Sequence, residues 1–356
     1  MMQIAVNSRF RSRPVTGVER FAGEVCSRLA SRTDVEVEEI APEGSLSGMR
    51  GHAWEQWSLP RKLKNKSILF SPCNTGPVTV NRQLAVIHDA AVWEVPESFS
   101  RGFRTIYQNL LPRLARKSAA VATVSEYSRE RLAHFLGISE ERIHVLGNAV
   151  DPVFRPLPER PGIDPNAPTF LCAGSLDPRK NLPRLVRAWA RLHEQGRIPE
   201  KAKLNIIGGA NARSFAHFDQ ADAPGLNWLG RVSDEELIRH YQTSDAFLFP
   251  SLYEGFGLPP LEAMACGCPV LLSNRASLPE VGGPIFTPDD HSSTGAVLYF
   301  EPENEENIAA AINSFLRLSP ETRERMRSNA LQRAESFTWE SVAERTVEAM
   351  QSIEAQ

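Results

Sequence analysis

Short apolar runs alternate along this chain with longer stretches whose apolar positions return at helical spacing. Residues 3–7 are the first such run. Val18, Phe21, Val25 and Leu29 then keep the spacing of one helix face, with Thr16 and Gly17 at its start. Strands are expected over 35–40, 68–71, 84–87, 119–124 and 143–146. Helices are expected over 99–117, with Phe103, Ile106, Leu110 and Leu114 as a packing stripe, and after Ser125. Between 152 and 168 six prolines (Pro152, Pro156, Pro158, Pro161, Pro165 and Pro168) oppose regular structure and mark a linker. The alternation restarts at 169–173, and Leu185, Val186, Trp189 and Leu192 give the next helix face. Strands follow over 204–207, 226–229, 246–249, 269–272 and 297–300. Helices are expected after Ser233, with Glu236 completing a capping box, near 258, over 305–318 and 320–334, and after Thr338. Trp339, Val342, Thr346, Val347 and Met350 form the packing face of that last helix. Strand, glycine and helix in repetition is the doubly wound α/β arrangement. The expected organisation is two Rossmann-like domains, 1–155 and 156–337, and a terminal helix, 338–356.

The length of 356 residues fits two domains, and 42% hydrophobic with 23% charged residues is ordinary for a globular chain. No run approaches the ~18 apolar residues of a membrane span. The N-terminal segment puts arginines after its apolar run, the reverse of a secretory signal. Cys26, Cys73, Cys172, Cys266 and Cys268 are odd in number and scattered, which reads as reduced thiols of a cytoplasmic protein. Cys266 and Cys268 lack a partner pair at zinc spacing, and no D-x-D motif occurs, so no metal is expected. The net charge of −3 is unevenly spread: residues 1–155 carry 21 Lys and Arg against 16 Asp and Glu, and the remainder 19 against 27. A basic half fits an anionic partner, a phospholipid surface or a lipid diphosphate, and equally a plain solvated surface. Trp54, Trp57 and Leu59 with Arg61, Lys62, Lys64 and Lys66 form an aromatic and basic stretch that reads either as contact with a membrane surface or acceptor or as a surface helix with a packed tryptophan.

The chemistry concentrates where apolar runs end. After 246–249 comes a loop with Glu254, Gly255, Phe256 and Gly257, and then a helix start at Leu258 with Pro259 and Pro260. A glycine-preceded helix N-terminus is an anion site. Its flanking carboxylates, Glu254 and Glu262, suit hydroxyls better than a bare phosphate. A ligand carrying both, such as a nucleotide sugar, satisfies the set; a helix start with favourable acidic residues is the plain alternative. Arg179 and Lys180 stand after the 169–173 strand, where two cations neutralise a diphosphate. His88 ends the 84–87 strand, and Asp89 either orients it or caps the next turn. Gly208 and Gly209 end another strand and allow close backbone approach. Arg231 and Val232 follow Gly230 at the end of the next.

Glu254 and Glu262 in the setting EGFGLPPLE, with the HD, PRKN and LPEV-G turns, resemble the retaining glycosyltransferases of family 4 and their E-x7-E signature. That resemblance implies the GT-B fold, two domains facing a central cleft, with the final helix crossing back to the N-terminal domain. It implies an acceptor domain first and a nucleotide-sugar domain second. It assigns Glu254 and His88 to the transferred sugar, Arg179 and Lys180 to the diphosphate and Glu262 to the ribose. Donor contacts are implied from Gly17, Gly209, Arg231, Val232 and the loop Gly255, Phe256, Gly257 and Leu258. Only Gly17 stands where relatives often have two adjacent glycines, and Ser175 replaces their arginine. The chemistry implied is a retaining transfer without metal or cofactor. Similarity to bacterial mannosyltransferases of O-antigen and exopolysaccharide assembly points to GDP-mannose as donor, with UDP- and dTDP-sugars as rivals. The acceptor is then a glycan or lipid-linked glycan at the cytoplasmic membrane face, with no nucleic acid involved. A phosphorylase, an epimerase and a non-catalytic nucleotide-sugar module are the other classes considered.

Overall fold

The computed structural model describes the chain except residues 45, 47, 65, 160–163, 209–222 and 356. Packing divides it into two units: Met1–Ala149 with Thr338–Gln356, and Val150–Phe337.

In the first unit β1 (Met2–Asn7) leads into a 3-10 turn, Ser8–Ser12, and α1 (Gly17–Ala30) follows. Thr16 and Glu19 form a capping box at its start. After β2 (Val35–Ile40), one continuous helical segment contains α2 (Gly48–Ala53), a π-helical turn (Trp54–Ser58) and α3 (Leu59–Lys62). The wide turn shows in the Leu59 N–H, which reaches back five residues to the Trp54 carbonyl. Then come β3 (Ile68–Ser71), β4 (Gln83–Val86), α4 (Ala91–Glu94), α5 (Arg101–Lys117), β5 (Ala120–Thr123), α6 (Glu126–Leu136) and β6 (Ile143–Val145). The strands form one parallel sheet in the order β2-β1-β3-β4-β5-β6. β3, β4 and β5 are buried at every position, as strands covered on both faces must be.

The second unit holds β7 (Thr169–Ala173), α7 (Leu182–Glu194), β8 (Lys203–Ile207), β9 (Leu226–Gly230), α8 (Asp234–Thr243), β10 (Ala246–Phe249), α9 (Leu258–Ala265), β11 (Val270–Ser273), α10 (Leu278–Gly282), β12 (Val297–Phe300), α11 (Glu305–Leu316) and α12 (Pro320–Glu335). Its strands are also all parallel, in the order β12-β11-β10-β7-β8-β9. Trp189, Phe170 and Phe315 meet edge to face in its core. The last helix, α13 (Trp339–Glu354), packs on α1 and on β4, β5 and β6 of the first unit. Its buried face is Trp339, Val342, Ala343, Thr346, Val347, Ala349, Met350 and Ile353.

One expected packing stripe is only half realised. Leu111, Leu114 and Ala115 of α5 are buried, but Phe103 and Ile106 are 39% and 37% exposed. Phe103 instead stacks on Phe99 at 5.3 Å and Tyr107 at 4.0 Å. Helical spacing fixes which positions share a face; it does not fix how far the sheet extends beneath that face. Part of the proline-rich linker, including Pro161, lies outside the described residues.

Candidate active site

The strand order of the second sheet reverses between β7 and β10, and open α/β sheets bind ligands at the carboxyl ends flanking such a reversal. β7 runs through Gly174 into a 3-10 turn, Pro178–Lys180; β10 runs into the loop that carries Glu254. Lys180 Nζ lies 2.6 Å from Glu254 Oε1, and Arg179 Nη1 lies 3.5 Å from Oε2. Arg179 also binds the Asp177 carboxylate through Nε at 3.2 Å. The Lys180 ammonium sits 5.0 Å from the Phe249 ring centroid, a cation–π placement. Glu254 is only 7% exposed, so the cations supply the partners that a buried carboxylate needs.

Residues not singled out in the sequence build this geometry. Asn181, at positive φ of 56°, donates from Nδ2 to the carbonyls of Pro250 (3.1 Å) and Pro302 (2.8 Å). The Leu252 N–H donates to the Arg179 carbonyl at 2.7 Å. These bonds tie the two loops together behind the ion pair. Ser277, fully buried, donates to the carbonyls of Glu254 and Phe256 at 2.9 and 2.8 Å. Asn181, between Lys180 and Leu182, and Ser277, between Ala276 and Leu278, are polar residues of the kind that any turn carries, so the sequence did not mark them.

Gly257 caps α9 at φ of 115°, where a Cβ would fall 2.8 Å from Leu278 Cδ2, so this turn requires glycine. Gly255 and Phe256 are buried and Leu258 is half-buried; the Phe256 ring meets Phe337 edge to face at 5.8 Å. Glu262, on α9, accepts from Tyr241 Oη at 3.3 Å. Burial first, and Glu262 second, hold that phenol well above its ordinary range, so it remains a hydrogen-bond donor. Gly208, at φ of 92°, abuts Gly174, whose carbonyl oxygen would lie 2.4 Å from a Cβ. Gly209 lies outside the described residues. Arg231 and Val232 follow the edge strand β9, two strands from β7, with Arg231 exposed and Val232 half-buried.

The remaining candidates belong to the first unit. His88 follows β4 and is 6% exposed. Its N–H donates to Asn74 Oδ1 at 2.8 Å, and its Nε2 bonds the Pro72 carbonyl at 2.9 Å. A carbonyl only accepts, so Nε2 carries the proton and Nδ1 keeps the lone pair in the neutral ring. Burial pushes this imidazole below the ordinary histidine range, against the bond to Pro72 and the charges of Asp89 and Glu19. Phe21 of α1 meets the ring edge to face at 4.9 Å. Asp89 Oδ1 accepts from the N–H of Ala91, the first residue of α4, at 2.9 Å. Gly17 is the exposed first residue of α1.

Two doubly wound units of this kind define the GT-B fold, which solved structures share over nearly the whole chain. Sucrose-phosphate synthase from Thermosynechococcus elongatus superposes with a TM-score of 0.72 at 16% identity, covering all of both chains. WaaG, a glycosyltransferase involved in lipopolysaccharide biosynthesis, gives 0.69 at 16% identity over 98% of this chain and 99% of that one. Residues 154–333 match the family described as Glycosyl transferases group 1, and residues 80–154 match Glycosyltransferase Family 4. The chain belongs to the group 1 glycosyl transferases. Similar curated proteins include O-antigen chain mannosyltransferase B of Escherichia coli, 28% identical over 77% of this chain and 71% of the relative. MMP alpha-(1->4)-mannosyltransferase of Mycolicibacterium hassiacum is 30% identical over 76% of this chain and 62% of its own length. The match to the serotype-specific mannosyltransferase WbdA of Escherichia coli spans only 30% of that longer protein. Membership of this family implies a nucleotide-sugar donor and a glycan acceptor.

Proposed function

We propose that this chain is a retaining mannosyltransferase that moves mannose from GDP-mannose to a lipid-linked oligosaccharide or polysaccharide precursor. The observation that carries this reading is the Arg179–Lys180–Glu254 cluster at the reversal of the second sheet. Its two cations neutralise the leaving nucleoside diphosphate, and the N–H groups opening α9 add their dipole. Glu254, held beside them, receives sugar hydroxyls and balances the positive ring of an oxocarbenium-like transition state. Glu262 accepts the ribose hydroxyls in the orientation that Tyr241 sets. His88, neutral, offers Nδ1 as an acceptor to a sugar hydroxyl. The departing phosphate oxygen takes the acceptor's proton, so the reaction proceeds without a metal or a separate base. The mannosyl donor rests on the names of the similar proteins.

The first unit takes the acceptor on this reading and touches an anionic membrane. No helix of the described residues is long and apolar enough to cross one. The segment 48–62 does present Met49 and Trp57, 67% and 63% exposed, beside exposed Arg50, Arg61 and Lys62. Exposed apolar and cationic groups along one helical segment suit a headgroup layer. Thermal melts with GDP, UDP, dTDP and ADP test the donor. Stabilisation by GDP alone is expected, on the order of 2.7 kcal/mol at a hundred times the dissociation constant. Stabilisation by UDP or dTDP replaces the donor; no stabilisation by any of the four defeats the catalytic reading.

A further inference from the structure

A second polar cluster lies at the other strand-order reversal, between β1 and β3 of the first sheet. Glu55, in the π-helical turn, is 2% exposed, and so is Arg9. Arg9 Nη1 lies 3.0 Å from Glu55 Oε2. Asn7 Nδ2 donates to Glu55 Oε1 at 2.8 Å, and the Thr75 hydroxyl lies 3.1 and 3.0 Å from the two carboxylate oxygens. Arg9 Nη2 donates to the same hydroxyl at 3.2 Å. His52 Nδ1 stands 3.5 Å from Oε2. The neighbouring Gln56 clasps the same loop, donating to the Gly76 carbonyl at 2.8 Å and accepting from the Val78 N–H at 3.0 Å. Gly51 lets the helix pass directly over Arg9: a Cβ there would fall 2.9 Å from Nη1.

A fully desolvated ion pair is weak evidence for stability, since packed apolar groups commonly do as well. What it confers is fixed geometry, and π-turns are frequent at functional sites. The segment held here is the loop after β3. That loop contains Pro72, whose carbonyl bonds the His88 ring, and Asn74, whose side chain bonds the His88 N–H. Asn74 stands at positive φ of 63°, a conformation that must be held in place. Thr75, next in sequence, is the residue Glu55 grips.

We propose that Glu55 is a positioning residue for glycosyl transfer: through Thr75 it fixes the loop 72–76, and that loop fixes the orientation and tautomer of His88. The inference rests on the reading of His88 as the residue that faces the sugar. The charged groups around His88 are Asp89 beside it and Glu19 of α1; Phe21 covers the ring.

The test uses Glu55→Gln, Thr75→Val, which removes only the hydroxyl link, and Thr75→Ser, which keeps it. Titration of ¹⁵N-labelled histidine, with the His88 signal assigned by its loss in His88→Asn, needs no substrate. Turnover and KM are read from GDP-mannose hydrolysis without acceptor. In Glu55→Gln and Thr75→Val the His88 titration moves up towards the ordinary histidine range as the loop admits water. Turnover falls about ten- to a hundredfold, KM for GDP-mannose stays within about twofold, and Thr75→Ser recovers native values. If Glu55→Gln does not fold, Thr75→Val carries the test. An unmoved His88 titration, or a moved one with native turnover, overturns the proposal. Native protein that neither binds nor hydrolyses GDP-mannose defeats the functional reading instead, and the titration alone then decides whether the clamp exists.

Discussion

Lys180 meets two demands at once: its ammonium partners the buried Glu254 carboxylate at 2.6 Å, and it stands where a leaving diphosphate would gather charge. Lys180→Ala should therefore lower turnover on the order of a hundredfold, as the loss of one charge-stabilising donor does. It should also destabilise the second unit, because Glu254 is left with Arg179 at 3.5 Å as its remaining cation. Steady-state hydrolysis of the donor with a parallel melt separates the two effects; native turnover would remove Lys180 from the mechanism. Lys180 and Glu254 stood out in the sequence because each lies in a loop between an apolar strand and a helix start, in the PRKN and EGFGLPPLE turns that carry the resemblance. Asn181, Ser277 and Tyr241 did not, since each acts through a bond to a residue distant in the chain. Glu55 was hidden for the same reason: its partners Asn7, Arg9 and Thr75 come from two other segments.

At the scale of elements, the segment 48–62 departs most from what its pattern suggests. Trp54 and Leu59 are buried, as an ordinary surface helix requires, yet Met49 and Trp57 face outward with Arg50, Arg61 and Lys62. Local spacing could not say which tryptophan packs, because the π-helical turn between α2 and α3 shifts the faces by part of a turn. If the outer face meets anionic lipid, sedimentation with vesicles containing phosphatidylglycerol should fall several-fold in Trp57→Ala and again in Arg50→Glu with Lys62→Glu. Vesicles of phosphatidylcholine alone should bind weakly throughout, and 1 M salt should remove most of the difference. Equal binding by native and substituted protein would assign the cations to plain solvation. α5 teaches a related lesson. Its stripe was readable, but only the half resting on the sheet is core, and Phe103 found Phe99 and Tyr107 instead.

For the whole molecule, the parallel order of both sheets follows from the β/α alternation, which is why the fold was readable along nearly the entire chain. The burial that this fold imposes sets the response to pH. Burial pushes the thiols of Cys26, Cys172 and Cys266 up to about 12, from 9.0. Folded protein therefore keeps these protons at pH values where the unfolded chain has lost them. Stability is fully present below pH 9 and declines as pH rises from there towards 12. At one pH unit above 9 each thiol costs on the order of 1 kcal/mol. Cys26 lies in the first unit and Cys172 and Cys266 in the second, so both should weaken. The acid side runs through His88, whose pKa is lowered by burial: its contribution is present above pH 6.5 and is lost as pH falls below that value. Calorimetric melts from pH 5 to 10.5 should give a plateau between these limits. Cys172→Ala should flatten the alkaline decline of the second unit, and a melt independent of pH up to 10.5 would show that these thiols reach water in the folded state.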